Sequence, residues 1–354
     1  MSKITAGNGD AVTMKSIAEA AGVSIGTVDR ALNNRGRIND QTKEKILQIA
    51  KEMNYQRNDF ARALRMRNGI RILAIYHTNP EDYSIHFTKG FDIAVSELTN
   101  YGLQFDVVRT GTLDPKDFLA VIDQIDIEQY DGLLINASGP EIDHFIAQAM
   151  DKGIAVATFN SDSPTSKRLF FCGEDHYQAG RICGELTAKL LGGKGTVSFF
   201  SGLSTVYALR KRTEGFLDLI AEEYPGIRIV NTFFHDDAPE TKYLHAESLL
   251  RTSPLPDAIF CNSATGALPI CQILEQENFD KKPIVIGYDE GEELEAMLQK
   301  KICTALVFQK PKLQAANALR FLFKYLYCNE LPSRNDCKII PSIVFKENIE
   351  IMKF

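Results

Sequence analysis

No stretch of the 354 residues approaches the ~20 apolar residues that a bilayer-spanning helix needs, so no membrane association is expected. The opening residues, MSKITAGNGDAV, hold one Lys and no apolar h-region, so no secretory signal is expected. Cysteine occurs only singly, at Cys172, Cys183, Cys261, Cys271, Cys303, Cys328 and Cys337, and no CxxC spacing appears. That pattern argues against a zinc site and a disulfide framework, and with the missing signal it reads as cytoplasmic. Long Pro/Gly bias is absent, and 44% hydrophobic residues is too apolar for a disordered chain. Catalytic signatures are missing as well. No GxGxxG follows the first strand of the body, which disfavours a dinucleotide dehydrogenase. Gly192-Gly193-Lys194-Gly195-Thr196 precedes a strand and lacks the spacing of a phosphate loop. The histidines show no HExxH, and no motif sets a nucleophile beside a base. An enzyme, a cofactor and a metal are therefore not expected.

What is present begins with an uneven charge. Residues 1 to 71 hold 13 Lys/Arg against 7 Asp/Glu, net +6, while the remaining 283 residues are net -12. Attraction to phosphate belongs to the head, and the acidic body opposes it. A chain of this length predicts roughly two units. Within the head, Met14 to Ala21 has an apolar face of Ile17, Ala18 and Ala21, with Thr13 able to cap it. Gly22 breaks the pattern. Ser24 can cap a second helix, Ile25 to Asn33, carrying Val28, Ala31 and Leu32. Helices this short need a third partner, and Asp40 to Met53 supplies it through Ile46, Leu47, Ile49, Ala50 and Met53, capped by Asn39. The first pair forms a helix-turn-helix.

In that geometry the second helix enters the major groove with its first residues at base edges. Ile25 can touch a thymine methyl, Gly26 permits close backbone approach, and Arg30 can fork onto guanine. The alternative for Arg30 is a surface ion pair with Asp29 or Glu19. Thr27, Arg35 and Arg37 suit phosphate contacts. The basic stretch 54–67 is only marginally helical, and an isolated helix so short is unstable in water, so it is expected to order against DNA or a symmetry mate.

Val12-Thr13-Met14-Lys15-Ser16-Ile17-Ala18, Ala21-Gly22-Val23-Ser24, Thr27-Val28, Arg30-Ala31-Leu32-Asn33 and Ala61-Arg62-Ala63-Leu64 together resemble the head and hinge of the lactose-repressor family of bacterial transcription regulators. The resemblance implies a homodimer on palindromic double-stranded operator DNA. It implies DNA contacts from Thr13, Ser24, Ile25, Gly26, Thr27, Arg30, Asn33, Arg35 and Arg37, and from the hinge residues Asn58, Ala61 and Leu64. Leu64 matches the leucine that wedges between base steps of the minor groove. Asp29 stands where the family usually has serine, and Arg57 where it usually has proline before Asn58.

The body alternates strand and helix patterns. Strands are expected at Ile70 to Tyr76, Gln104 to Val108, Gly132 to Ile135, Ala155 to Phe159, Thr196 to Phe200, Ile227 to Phe233, Ala258 to Cys261, Ile284 to Gly287 and Ala305 to Phe308, with helices between them. This is α/β alternation with parallel sheets. Such sheets bind ligands beyond the carboxyl ends of their strands. There lie Tyr76, His77, Asn79 and nearby Tyr83; Asn160, Asp162 and Arg168; Arg210 and Arg212; Asn262; Asp289; and Gln309. Amides, charged forks and aromatic faces suit a polyhydroxylated ligand. Any single one of these residues reads equally well as a cap or turn former; their recurrence at six strand ends makes the case.

The body also resembles the periplasmic sugar-binding fold of the ribose type. That resemblance implies two Rossmann-like lobes joined by three crossovers, with sugar bound by Asn160, Arg212, Asn262, Asp289 and Gln309. The expected fold class is an all-α helix-turn-helix head plus an α/β two-lobed body with two parallel sheets. Expected boundaries are 12–56 for the head, 57–69 for hinge and linker, and 70–345 for the effector domain. The N-lobe is expected at about 70–161 and 236–308, the C-lobe at about 162–235 and 309–345. Asp175 is expected to cap a helix. The chain end shows no heptad tail, which leaves a dimer. The function expected is a DNA-associated transcriptional repressor controlled by a sugar or sugar-derived effector. A sugar-responsive activator, a corepressor-dependent regulator, and a sugar-binding or sugar-modifying protein without operator control are the alternatives. Pentose, deoxyhexose, hexose, polyol and uronate all stay open, the last because Arg168 and Arg212 could hold a carboxylate.

Overall fold

A computed structural model describes residues 14–32, 38–53, 69–78, 81–111, 115–202, 206–235, 238–263 and 265–352. The chain divides into a unit spanning Met1–Arg65 and a second spanning Met66–Phe354.

In the first unit, α1 (Met14–Ala21), α2 (Ile25–Leu32) and α3 (Asp40–Glu52) pack around Ile17, Ala18, Ala21, Val28, Ala31, Ile46 and Ala50. Ser24 Oγ accepts the backbone N–H of Thr27 at 3.2 Å, and Asn39 Oδ1 accepts that of Gln41 at 2.9 Å. Both satisfy N–H groups that a helix start leaves orphaned. Lys45 Nζ reaches the Ala21 carbonyl at 3.0 Å and closes the end of α1. Leu47 departs from the expected core: it is 41% exposed, because the buried stripe of α3 runs through Ile46 and Ala50 at a spacing of four.

The second unit runs β1 (Ile70–His77), α4 (Glu81–Leu98), β2 (Leu103–Thr110), α5 (Pro115–Ile122), β3 (Gly132–Ile135), α6 (Pro140–Asp151), β4 (Ala155–Phe159), β5 (Phe171–Cys172), α7 (His176–Leu190), β6 (Gly195–Ser201), α8 (Tyr207–Glu223), β7 (Ile227–Phe234), α9 (Pro239–Leu250), β8 (Ala258–Cys261), α10 (Ala267–Gln276), β9 (Ile284–Tyr288), α11 (Glu292–Gln299), β10 (Ala305–Phe308), α12 (Pro311–Cys328), α13 (Arg334–Cys337), β11 (Ser342–Val344) and α14 (Ile349–Met352). One parallel sheet has the order β2-β1-β3-β4-β5. The other has the order β11-β10-β9-β8-β6-β7, parallel except for β11. Central strands such as Leu133-Leu134-Ile135 are buried on both faces, as helix-covered parallel strands must be.

The expected division into lobes needs correction. Residues 236–308 do not join the first lobe, because β8, β9 and β10 are hydrogen-bonded into the sheet that contains β6 and β7. Residues 309–345 do not form part of the second lobe as a block either. α12 packs its Ala315, Ala318, Leu319 and Leu322 into the core of the first sheet, and only β11 returns to the second. The first crossing lies after β5, since Phe171–Cys172 still pairs with β4, and not at about 162, where the C-lobe was expected to begin. Hydrophobic alternation marks a strand but does not say which sheet it joins.

Candidate functional site

The site is built from residues that end parallel strands of both sheets. Asn160 follows β4 with φ 59°, Asp289 follows β9 with φ 72°, and Lys310, just past Gln309 at the end of β10, has φ 59°. Side chains other than glycine rarely adopt this left-handed region, and such conformations cluster where a site is held in place. Asn and Asp tolerate it best because their short polar groups bond locally.

Asn160 is the centre of the first-sheet side. Its Nδ2 lies 2.7 Å from Tyr83 Oη, 3.0 Å from Gln314 Oε1 and 3.2 Å from Gln309 Oε1, while its Oδ1 accepts from Asn136 Nδ2 at 3.1 Å. Gln314 in turn donates to the Gln309 carbonyl at 2.7 Å. Arg212 is the centre of the second-sheet side. Its Nε donates to Glu174 Oε1 at 2.8 Å, Nη1 to the Asn262 carbonyl at 3.1 Å and Nη2 to Gln309 Oε1 at 3.0 Å. Gln309 therefore joins the two sides. The guanidinium also stands 3.9 Å over the Tyr288 ring, a cation–π contact. Tyr288 Oη donates to Glu174, 2.8 and 2.9 Å from its two oxygens, and His176 Nδ1 lies 3.2 Å from the same carboxylate. Asn262 is fixed by Ser201 Oγ at 2.8 Å and Thr213 Oγ1 at 2.9 Å.

Arg212, Glu174, Asp289, Asn160, Asn262 and Gln309 are all buried. Burial opposes the ionisation of Glu174, but the Arg212 charge and the His176 contact outweigh it and hold the carboxyl at about 2. For Arg212, burial likewise opposes the charge and the neighbouring Glu174 more than restores it, so its pKa is raised. Asp289 has no such direct partner. Burial pushes it up to about 8, against the pull of Arg212 and a hydrogen bond with Gln309. Among the described residues, Asp289 Oδ1 and Asn136 Oδ1 are buried without a hydrogen-bond partner. Ser198 Oγ and Gln272 Oε1 are orphaned as well, so the feature is not confined to the site, but within a ring of amides and carboxyls such oxygens leave acceptors for a further donor.

Not every expected site residue joins this network. Tyr76 is packed among Phe87, Phe91 and Phe159, with its hydroxyl 2.8 Å from Thr88 Oγ1, so it belongs to the core. His77 is buried edge-on to Phe87. Asp162 and Arg168 pair with each other, Nε to Oδ1 at 2.5 Å and Nη2 to Oδ2 at 2.7 Å. Asp175 caps α7, accepting the Gln178 N–H at 3.1 Å. Asn79 lies outside the described residues. Glu174, Asn136, His176 and Gln314 were not among the expected residues. Asn136 directly follows β3 and the strand-end rule could have found it; Glu174 precedes a helix and its role appears only through Arg212.

On α2, Ile25 is 47% exposed, and Gly26 and Arg30 are also exposed. Arg30 Nε donates to the Gly26 carbonyl at 2.9 Å and Nη2 lies 3.4 Å from Thr27 Oγ1, which lays the guanidinium along the start of the helix. Thr13, Asn33, Arg35, Arg37, Asn58, Ala61 and Leu64 lie outside the described residues. No helix among the described residues is long and apolar enough to cross a membrane, and no cluster of three or more His, Cys, Asp or Glu could hold a metal ion.

Residues 13–58 match the family described as bacterial regulatory proteins, lacI family, and residues 72–330 match the periplasmic binding protein domain. The chain is 25% identical over 264 residues to the probable HTH-type transcriptional repressor ExuR of Bacillus subtilis (strain 168), covering 73% of this chain and 75% of that one. It is 26% identical over 284 residues to the sucrose operon repressor of Pediococcus pentosaceus, covering 78% and 81%. Among solved structures it is similar, at TM-score 0.71 and 22% identity, to an ABC transporter solute-binding protein from Burkholderia graminis in complex with D-arabinose; that similarity covers 80% of this chain and 97% of the other.

Proposed function

The chain belongs to the lacI family of bacterial regulatory proteins, with a periplasmic binding protein domain as its body, and from that premise we propose that it is a dimeric repressor whose operator affinity is set by a sugar bound among Asn160, Arg212, Asn262, Asp289 and Gln309. It is a sequence-specific DNA-binding regulator and not an enzyme, as its family is. The observation that carries the effector reading is the buried polar ring: amides and carboxyls from both sheets converge, and two of their oxygens lack partners. Sugar hydroxyls, which donate and accept at once, suit such a ring. The relative named for a sucrose operon and the arabinose complex agree with that chemistry.

The dimer is supported by the sheet edges. β2 and β7 each end a sheet, and they carry exposed Val107, Val230 and Phe234; Ile85 and Ile93 on α4 and Tyr243 and Leu244 on α9 are exposed too. Exposed edges and apolar patches are managed by covering them, and a second copy would do so. On DNA, Ile25 and Arg30 would read base edges from the start of α2, with Ser24 and Thr27 on phosphate. The proposed repressor would sit in the cytoplasm on chromosomal DNA.

A palindromic duplex selected from a random pool tests this reading. Two chains are expected per duplex, and one or more members of a sugar panel should weaken the complex. Arg30→Ala should lower affinity for the selected duplex much more than for a scrambled one. A panel without effect on DNA affinity removes the effector control, and equal losses on both duplexes reduce Arg30 to a phosphate contact.

A further inference from the structure

We infer that the effector pocket favours a neutral sugar over its carboxylate counterpart, and that Glu174 sets this choice by occupying the side-on fork of Arg212. The inference rests on the sugar-responsive reading above and names the ligand class within it.

An arginine recognises a carboxylate best through two parallel N–H groups. On Arg212 those groups are taken. Glu174 Oε1 lies 2.8 Å from Nε and 2.7 Å from Nη2, and the far end of the guanidinium is occupied by the Asn262 carbonyl and Gln309 Oε1. What remains of its donor set can meet a hydroxyl but cannot offer a free fork. The other arginine of the expected site is engaged the same way, since Arg168 grips both oxygens of Asp162.

Charge leads to the same conclusion. Glu174 is fully buried and balances Arg212, so the pair presents no net positive charge to a ligand. Asp289 adds a second buried carboxyl with an unpartnered oxygen. An acidic sugar would bring a charge that this neutralised pair does not offset, and taking an uncompensated ion out of water is costly. A neutral sugar brings only hydroxyls. Glu174 is a positioning residue in this account: it acts through Arg212.

Calorimetry with matched pairs, D-glucose against D-glucuronate and D-galactose against D-galacturonate, tests the inference at neutral pH. The wild-type chain should bind the neutral member of its preferred pair at least about tenfold more tightly than the acid. Glu174→Gln removes the charge but keeps the shape, and should shrink that ratio at least about tenfold by releasing the Arg212 charge to the ligand. Tyr288→Phe removes a hydrogen bond to Glu174 but no charge, and should leave the ratio unchanged. An acid bound as tightly as its neutral partner overturns the inference while the sugar-responsive reading stands; this comparison holds even where Glu174→Gln fails to fold. An unchanged ratio in folded Glu174→Gln, or an equal shift in Tyr288→Phe, also overturns it. If no member of these pairs or of the wider sugar panel binds, both readings fall.

Discussion

Two buried carboxyls of the same site are shifted in opposite directions. Glu174, held at about 2 against burial by Arg212 and His176, is a carboxyl whose folded pKa lies below its ordinary 4.5. Its contribution to stability is present above that ordinary value and is lost as pH falls toward about 2. Asp289, pushed by burial to about 8 from an ordinary 3.8, does the reverse: its contribution is present below the ordinary value and is lost as pH rises toward about 8. Glu290, raised to about 7 by burial and the nearby Glu295 against Lys312 and Lys310, adds to the same descent. From these three groups the second unit should be most stable near the ordinary carboxylate range and weaken toward pH 8. Asp289→Asn should flatten that descent, which has a limiting slope of ~1.4 kcal/mol per pH unit for one group. Urea unfolding of both chains across pH 4 to 9 measures it, and parallel curves would remove Asp289 as the cause. Much of this site was legible residue by residue, because Asn160, Asn262, Asp289 and Gln309 each directly follow an apolar strand. Glu174 was not. Its neighbours Arg212 and Tyr288 lie 38 and 114 residues further along the chain, and no local pattern announces a buried counter-ion.

Among the elements, α7 and α8 decide where Arg212 stands. The two helices approach so closely that a Cβ on Gly180 would fall 2.0 Å from the Arg212 carbonyl oxygen, and one on Gly215 would fall 2.0 Å from the Tyr177 carbonyl oxygen. Both obstacles are backbone, so the helices themselves would have to separate. Gly180→Ala should therefore cost about 1–3 kcal/mol, as overpacking does, and should also weaken effector binding because the displaced residue is Arg212 itself. Glu185→Ala breaks an exposed pair with Lys189 on the same helix and should change stability by less than about 0.5 kcal/mol. Denaturant unfolding and sugar calorimetry on the two variants separate the cases; a Gly180→Ala chain with native affinity would uncouple the helix crossing from the site. The nine longer strands could be read from apolar runs bounded by turns. β5 and β11 could not, since two or three residues carry no alternation. Sheet membership was lost for a related reason. α12 and β8 to β10 look alike in either lobe, and only long-range pairing tells which core they complete.

At the scale of the whole molecule the proposal is a linkage between two binding events, and linkage is reciprocal. If sugar lowers operator affinity by some factor, operator must lower sugar affinity by that same factor, whatever path the coupling takes. A coupling of ~1–3 kcal/mol corresponds to roughly 5- to 150-fold in each direction. Operator affinity of a basic head also falls steeply with salt, whereas binding of a neutral sugar in a buried ring should not. Sugar titrations by calorimetry, with the chain free and then saturated with its palindromic duplex, should thus give two dissociation constants whose ratio matches the shift in duplex affinity caused by saturating sugar. Raising the salt should weaken the duplex complex while leaving the sugar affinity of the free chain unchanged. Asp289→Ala should leave duplex binding intact and bring the ratio to one, because the ligand that distinguishes the two states can no longer be held. A wild-type ratio of one, with both ligands bound, would mean that head and body share a chain without sharing a conformational equilibrium.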